Sequence, residues 1–126
     1  MMETPKTKIL IVDDSPAHLY NLKSLVEAGG YEVLTAEDGE RGLDAATTRN
    51  PNLILLDIVM PGMNGFQVNR KLRKIAVDRD IPVIFVSIKN QESDIAWGMR
   101  QGVKAYITKP VNKKELLSAI AEALVA

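Results

Sequence analysis

Two adjacent carboxylates, Asp13 and Asp14, follow the apolar run Ile9 to Val12, and a third, Asp57, follows Leu53 to Leu56. A hydroxyl, Ser87, closes IPVIFVS, and an ammonium, Lys109, follows VKAYIT. Carboxylates a few ångströms apart repel one another and raise each other's pKa unless something compensates. A hard divalent cation with oxygen ligands is the natural compensation, and Mg²⁺ binds through one or two carboxylates plus waters. With Mg²⁺ present and Lys109 opposite, a phosphoryl group becomes a welcome ligand. Asp57 can then attack phosphorus, as carboxylates do in aspartyl-phosphate enzymes. Ser87 and Lys109 would stabilise the equatorial oxygens during in-line transfer. A flavin phosphate is a poorer fit, because its loop after the first strand wants Ser, Thr and Gly rather than Asp-Asp.

This chemistry requires elements that bring the five residues together. KILIVDD reads as a buried strand, and Ser15-Pro16 supplies an N-cap and a first-turn proline for a helix carrying Leu19, Leu22, Leu25 and Val26. Gly29-Gly30 stops that helix, and YEVLTA is a second strand whose alternation suits an edge. Asp38 can cap a second helix, with Leu43, Ala46 and Thr47, which Asn50-Pro51 breaks. NLILLD is the third strand, and after MPGMNG the residues Val68, Leu72 and Ile75 mark the apolar side of a third helix. IPVIFVS, a helix from Glu92 to about Gln101, VKAYIT and a last helix with Leu116, Leu117, Ile120 and Leu124 complete five strand–helix pairs. Such alternation predicts an α/β fold: a doubly wound five-stranded parallel sheet, (βα)5 and flavodoxin-like, in strand order 2-1-3-4-5. Ligands of such sheets bind outside the carboxyl ends of the strands. In that order Asp13, Asp14, Asp57, Ser87 and Lys109 converge on one edge.

The 126 residues suit a single domain over 8–126, with residues 1–7 as a flexible N-terminal tail. Sixteen basic and 16 acidic residues cancel, so no overall basic field favours nucleic acid or anionic lipid. The absence of cysteine excludes disulfides, thiolate metal sites and Cys nucleophiles. No apolar run approaches a membrane span of about 18 residues, which predicts a cytoplasmic protein without membrane insertion. His18, the sole histidine, is expected to be solvated on helix 1 and is not a phosphocarrier candidate.

VDDS, LLDIVMPGMNG, the serine ending IFVS, and YITKP resemble the receiver domains of two-component response regulators, the CheY-like family. The resemblance runs from about Lys8 to the C-terminus with all motifs in order. It implies Asp57 as phosphoacceptor for a histidine kinase, and a chain that catalyses its own phosphorylation and slow dephosphorylation rather than acting as an enzyme on other substrates. It implies Mg²⁺ held directly by Asp14, Asp57 and the Val59 carbonyl, with Asp13 acting through water. Ser87 and Tyr106 would form the switch pair, Lys109 would contact the phosphoryl group, and the Lys109-Pro110 peptide would be cis. DIVMPGMNGFQ and QESDIAWGMRQGVKAYITKPV look more narrowly like the stand-alone receivers of type IV pilus (twitching) chemosensory systems.

The resemblance implies a downstream protein target that binds helix 4, strand 5 and helix 5, with Trp97, Lys104, Tyr106 and Lys113 on that face. The expected state is a monomer or a weak dimer. Two alternatives stay open: a phosphate sink in the same pathway, and a haloacid-dehalogenase-like phosphatase. The latter is disfavoured because such enzymes place a second acid two residues after the nucleophile, where this chain has Val59. That apolar side chain cannot hydrogen-bond an attacking water, which favours slow hydrolysis of an aspartyl phosphate, although the nearby Lys89 cation can also order water.

Overall fold

The computed structural model describes residues 6–76 and 79–125. Ten elements alternate: β1 (Lys8–Val12), α1 (Pro16–Ala28), β2 (Glu32–Ala36), α2 (Gly39–Thr48), β3 (Leu53–Leu56), α3 (Gly65–Ile75), β4 (Val83–Ser87), α4 (Glu92–Met99), β5 (Ala105–Thr108) and α5 (Lys113–Val125). The strands form one sheet in the order β2-β1-β3-β4-β5, and every pairing is parallel. This is the expected doubly wound architecture. The expected tail at residues 1–7 falls mostly on 1–5, outside the described residues; the Thr7 carbonyl already accepts a hydrogen bond from Glu32 N–H at 2.9 Å.

The central strands β3 and β4 are buried at every residue, and β1 at all but Lys8, as a sheet covered on both faces demands. Alternate residues feed two cores. Ile9, Ile11, Leu53 and Leu55 pack with Leu19, Leu22 and Val26 of α1 and Leu116 and Ile120 of α5. Leu10, Val12, Ile54, Leu56 and Phe85 pack on the other side with Ala46 of α2 and Val68 and Leu72 of α3. Each fully buried Val, Leu, Ile or Phe of these cores contributes roughly 1.5–3 kcal/mol of transfer free energy.

Helix starts follow local chemistry. Ser15 caps α1 and Asp38 caps α2 by accepting backbone N–H groups, and Asn64 and Gln67 form a reciprocal capping box at α3. The stop at Asn50-Pro51 is explicit: Asn50 adopts a positive φ of 51° before the proline.

Two details depart from the sequence expectation. Ile75 is not on the core side of α3; it is 54% exposed, and the buried stripe runs Gly65, Val68, Asn69, Leu72 and then Ala76. Ala76 lies about 40° round from Leu72, toward Asn69 and within the stripe, whereas Ile75 lies about 60° to the other side, at the stripe's edge. In addition, α4 ends at Met99, and residues 100–102 turn through Gly102 at φ 81° before β5.

Candidate functional site

Strand register assembles the site. Val12 of β1 pairs with Leu56 of β3, so Asp13 and Asp57 emerge side by side, and the Asp57 N–H donates to the Val12 carbonyl at 2.9 Å. Leu56 pairs with Phe85 of β4, which carries Ser87 to the same edge. Ser87 pairs with Thr108 of β5, and Lys109 N–H donates to the Ser87 carbonyl at 2.9 Å. All five chemistry-bearing residues read from the sequence thus lie at one sheet edge.

The three carboxylates Asp13, Asp14 and Asp57 each offer an oxygen within 4.8 Å of the others. Asp13 and Asp57 are buried and Asp14 is exposed, so the cluster opens to solvent on one side. The Lys109 side chain, 8% exposed, places Nζ 2.7 Å from Asp13 Oδ2 and 3.6 Å from Asp57 Oδ2. The lysine is therefore anchored on Asp13 and only approaches Asp57. Asp13 Oδ1 also accepts the Ser15 N–H at 2.9 Å, tying the acid to the entry of α1.

Burial pushes the Asp57 carboxyl above its ordinary value. Lys109 opposes this, Asp13 reinforces it, and N–H groups of Val59 and Ile58 pull it down. Lys109 and the two N–H groups do not cancel the burial of Asp57, and the balance left over is unfavourable to its ionised form. The donor set is all oxygen, partly open and short of positive charge, which fits a hard divalent cation better than a thiophilic one.

A stability prediction follows from that raised pKa. A carboxyl whose folded value lies above its unfolded value contributes stability when protonated, and this contribution is lost as pH rises through the folded value. Asp57→Asn therefore raises the melting temperature in metal-free buffer at neutral pH. The advantage over wild type shrinks as pH falls through the raised Asp57 value toward 3.8, the unshifted one. Thermal melts of both proteins from pH 3 to 8 check this; a variant less stable at neutral pH would contradict it.

Ser87 is fully buried, and its Oγ accepts the Lys89 N–H at 3.2 Å. Tyr106 sits on β5 opposite Phe85, with the two rings edge to face at 6.3 Å. Its hydroxyl donates to the Lys89 carbonyl at 2.8 Å. Ser87 and Tyr106 thus meet through the backbone of one residue, Lys89. Burial pushes the Tyr106 phenol up; the Ser87 hydroxyl acts against this, while Asp94 and Asp57 add to it. A Cβ at Gly98 of α4 would lie 2.6 Å from Tyr106 Cδ2, so the glycine lets this ring lie close against α4.

Trp97 is 53% exposed on α4 and stacks edge to face on Phe66 at 6.5 Å. Lys104 and Lys113 are both exposed, one just before β5 and the other at the start of α5. Val59 is 43% exposed beside the acidic cluster, and its N–H points at Asp57 Oδ1 at 3.4 Å. The Lys109-Pro110 peptide is cis, as the resemblance implies.

His18 departs from the expectation of a merely solvated residue. Although its side chain is 46% exposed, Nδ1 lies 2.8 Å from Lys109 Nζ and 3.8 Å from Asp13 Oδ2. The sequence does hold a signal for it. Ser15 caps α1 at the carboxyl edge of β1, so side chains of the first helical turn are in reach of that edge. Asn69 is buried despite its polarity: it is 2% exposed, and its amide donates to the Gln101 carbonyl at 3.1 Å.

Comparison with known proteins agrees with this geometry. Residues 9–121 match the response regulator receiver domain family. The chain is 50% identical over 113 residues to Protein PilH of Pseudomonas aeruginosa, covering 90% of this chain and 93% of that one. It superimposes with a TM-score of 0.85 on a CheY-like receiver domain protein from Methanospirillum hungatei, at 35% identity over 96% of this chain and 95% of the other. The Vibrio cholerae chemotaxis protein CheY4 gives a TM-score of 0.86 at 28% identity, over 95% of this chain and all of that one. With register, acidic cluster and lysine in agreement, the chain belongs to the response regulator receiver domain family and is a signalling protein of the two-component type.

Proposed function

We propose that Asp57 accepts a phosphoryl group from a histidine kinase and that phosphorylation alters a protein-binding face. The observation that carries this is the meeting of Asp13, Asp14 and Asp57 within 4.8 Å, with the Lys109 ammonium against two of them. A carboxylate oxygen of Asp57 attacks phosphorus, the bond from phosphorus to the donor nitrogen breaks, and the phosphoryl group stays on the aspartate. Lys109 Nζ donates to a phosphoryl oxygen from its position 3.6 Å from Asp57 Oδ2. Ser87 Oγ, which accepts from Lys89 N–H, keeps its own proton free to donate to a second oxygen.

Asp14, Asp57 and the Val59 carbonyl would hold Mg²⁺, with Asp13 acting through water. Bound there, the cation supplies the positive charge that Lys109 alone cannot, both to the acids and to the phosphoryl oxygens. Any shift of Ser87 toward the phosphoryl group is felt by Lys89, whose N–H donates to Ser87 Oγ and whose carbonyl holds Tyr106. That connection supports Ser87 and Tyr106 as the switch pair, with a two-state equilibrium that phosphorylation biases. The exposed Trp97 supports an output face on α4, β5 and α5, reaching to Lys104 and Lys113, in preference to a mere phosphate sink.

The likeness to type IV pilus receivers, together with the 50% identity to Protein PilH, supports chemotaxis-like control of pilus motility. No described helix is long and apolar enough to cross a membrane, in keeping with cytoplasmic action as a monomer or weak dimer.

The test is intact mass after incubation with Mg²⁺ and acetyl phosphate. Wild type gains a single phosphoryl adduct and Asp57→Asn gains none; labelling of both, or of neither, would sink the proposal. Steady turnover of phosphate monoesters would instead favour the phosphatase alternative.

A further inference from the structure

The residue left over from the proposed reaction is His18, and its position is specific. Lys109 carries three N–H donors and no acceptor. One donor is taken by Asp13 Oδ2 at 2.7 Å and a second by His18 Nδ1 at 2.8 Å. Because the ammonium has only donors, Nδ1 must be the acceptor and the ring hydrogen must sit on Nε2. Fixing two directions of a tetrahedral group fixes the third, and the remaining neighbour is Asp57 Oδ2 at 3.6 Å.

We propose that His18 is a positioning residue for Lys109: its imidazole holds the ammonium rotamer whose free N–H faces the oxygens of a phosphoryl group on Asp57. This rests on Asp57 as acceptor. Without His18 the lysine keeps its bond to Asp13, but its aliphatic torsions are free to swing Nζ about Asp13 Oδ2, and solvent takes the second donor. A donor aimed in advance at the developing charge accelerates transfer without reorganising during the reaction. The imidazole itself is aimed by α1. Pro16 and the Ser15 cap fix the first turn, and Ser15 Oγ accepts the His18 N–H at 3.3 Å. The contact joins residues 91 positions apart, α1 to the end of β5, and so also couples the proline-bearing loop after Lys109 to the site.

Two replacements of similar shape separate an acceptor from mere bulk. His18→Asn puts a carbonyl oxygen where Nδ1 stands; His18→Leu keeps the volume and removes the acceptor. With Mg²⁺ and acetyl phosphate, His18→Leu should lower the maximal phosphorylation rate about 3- to 10-fold, the range for losing one partly solvated hydrogen bond. Its half-saturating donor concentration and melting temperature should stay close to those of wild type. His18→Asn should remain within about two-fold of wild type, since the acceptor is restored. The ¹⁵N-edited NMR signal of the Lys109 ammonium should be sharp in wild type and His18→Asn and exchange-broadened in His18→Leu. Equal rates in all three proteins, or His18→Asn falling as far as His18→Leu, would overturn the inference. The NMR comparison needs no phosphoryl transfer. If wild type took no label, an unchanged ammonium signal in His18→Leu would still refute His18, while broadening would support it and leave only the acceptor reading refuted.

Discussion

Lys109→Met should cost about 3 kcal/mol of stability in metal-free buffer at neutral pH, the lower end of the range for breaking a buried ion pair from one side. Asp13 is 1% exposed and loses the cation 2.7 Å from its Oδ2, while Asp57 loses the one charge that offsets its burial. The cost stays at the lower end because burial already raises the Asp57 carboxyl above its ordinary value, so the loss of Lys109 is partly offset by a lower cost of protonation there. Urea unfolding with and without Mg²⁺ reads this directly. The divalent ion should restore most of the loss in Lys109→Met and stabilise wild type by less, because in wild type it shares the acids with the ammonium. Phosphoryl transfer should nevertheless stay about 100-fold or more below wild type at saturating Mg²⁺, since the hydrogen bond proposed from Lys109 to the phosphoryl oxygens is gone. Equal stability of the two proteins would mean that Asp13 is held without the ammonium.

Gly65→Ala is expected to be the most damaging single-methyl change near the site. Gly65 opens α3, donates its N–H to the Ile58 carbonyl at 2.9 Å, and lies directly on the backbone leaving β3. A Cβ there would overlap the Asp57 carbonyl and sit 2.8 Å from Ile58 Cα. Both neighbours are main chain, so no side-chain rotation relieves the clash; either α3 or Asp57 must move. The penalty should be on the order of 3 kcal/mol, at the top of the usual overpacking range. Labelling of Asp57 should fall with it, because the displaced segment carries the proposed acceptor. Gly62→Ala makes the control. Gly62 has φ 74° but nothing within 4 Å of an added Cβ, so only the left-handed conformation is penalised, by about 1–2 kcal/mol. Urea midpoints for the two variants check the ranking; a milder effect at Gly65 than at Gly62 would contradict it.

Much of this site can be read in the linear chain because its members end strands. Asp13, Asp57 and Ser87 each sit where an apolar run stops, and Lys109 follows the last one. Parallel strands alternating with helices deliver such positions to one edge, so the convergence follows from fold class and strand order together. The core was nearly as legible, with Leu19, Leu22, Val26, Leu116 and Ile120 buried as their spacing requires. The failures share a cause. Ile75 is apolar at a plausible helical spacing yet faces solvent, and Asn69 is polar yet buried. Hydropathy describes a side chain, whereas burial depends on the helix's rotation against the sheet. Here the capping box at Asn64 and the close seat of Gly65 set that rotation.

Sequence alone thus determined the five strand–helix units, their two-sided burial and the identity of the charged groups at the carboxyl edge. These depend on periodicity, breakers and strand ends, all local properties of the chain. Only the tertiary structure decided the pairing among those groups. Lys109 holds Asp13 more closely than Asp57, Tyr106 reaches the Lys89 carbonyl, and His18 completes the lysine's hydrogen bonds. Those choices turn on differences of about an ångström between side chains as many as 96 residues apart. Such distances are set by packing of whole elements, which no local pattern encodes.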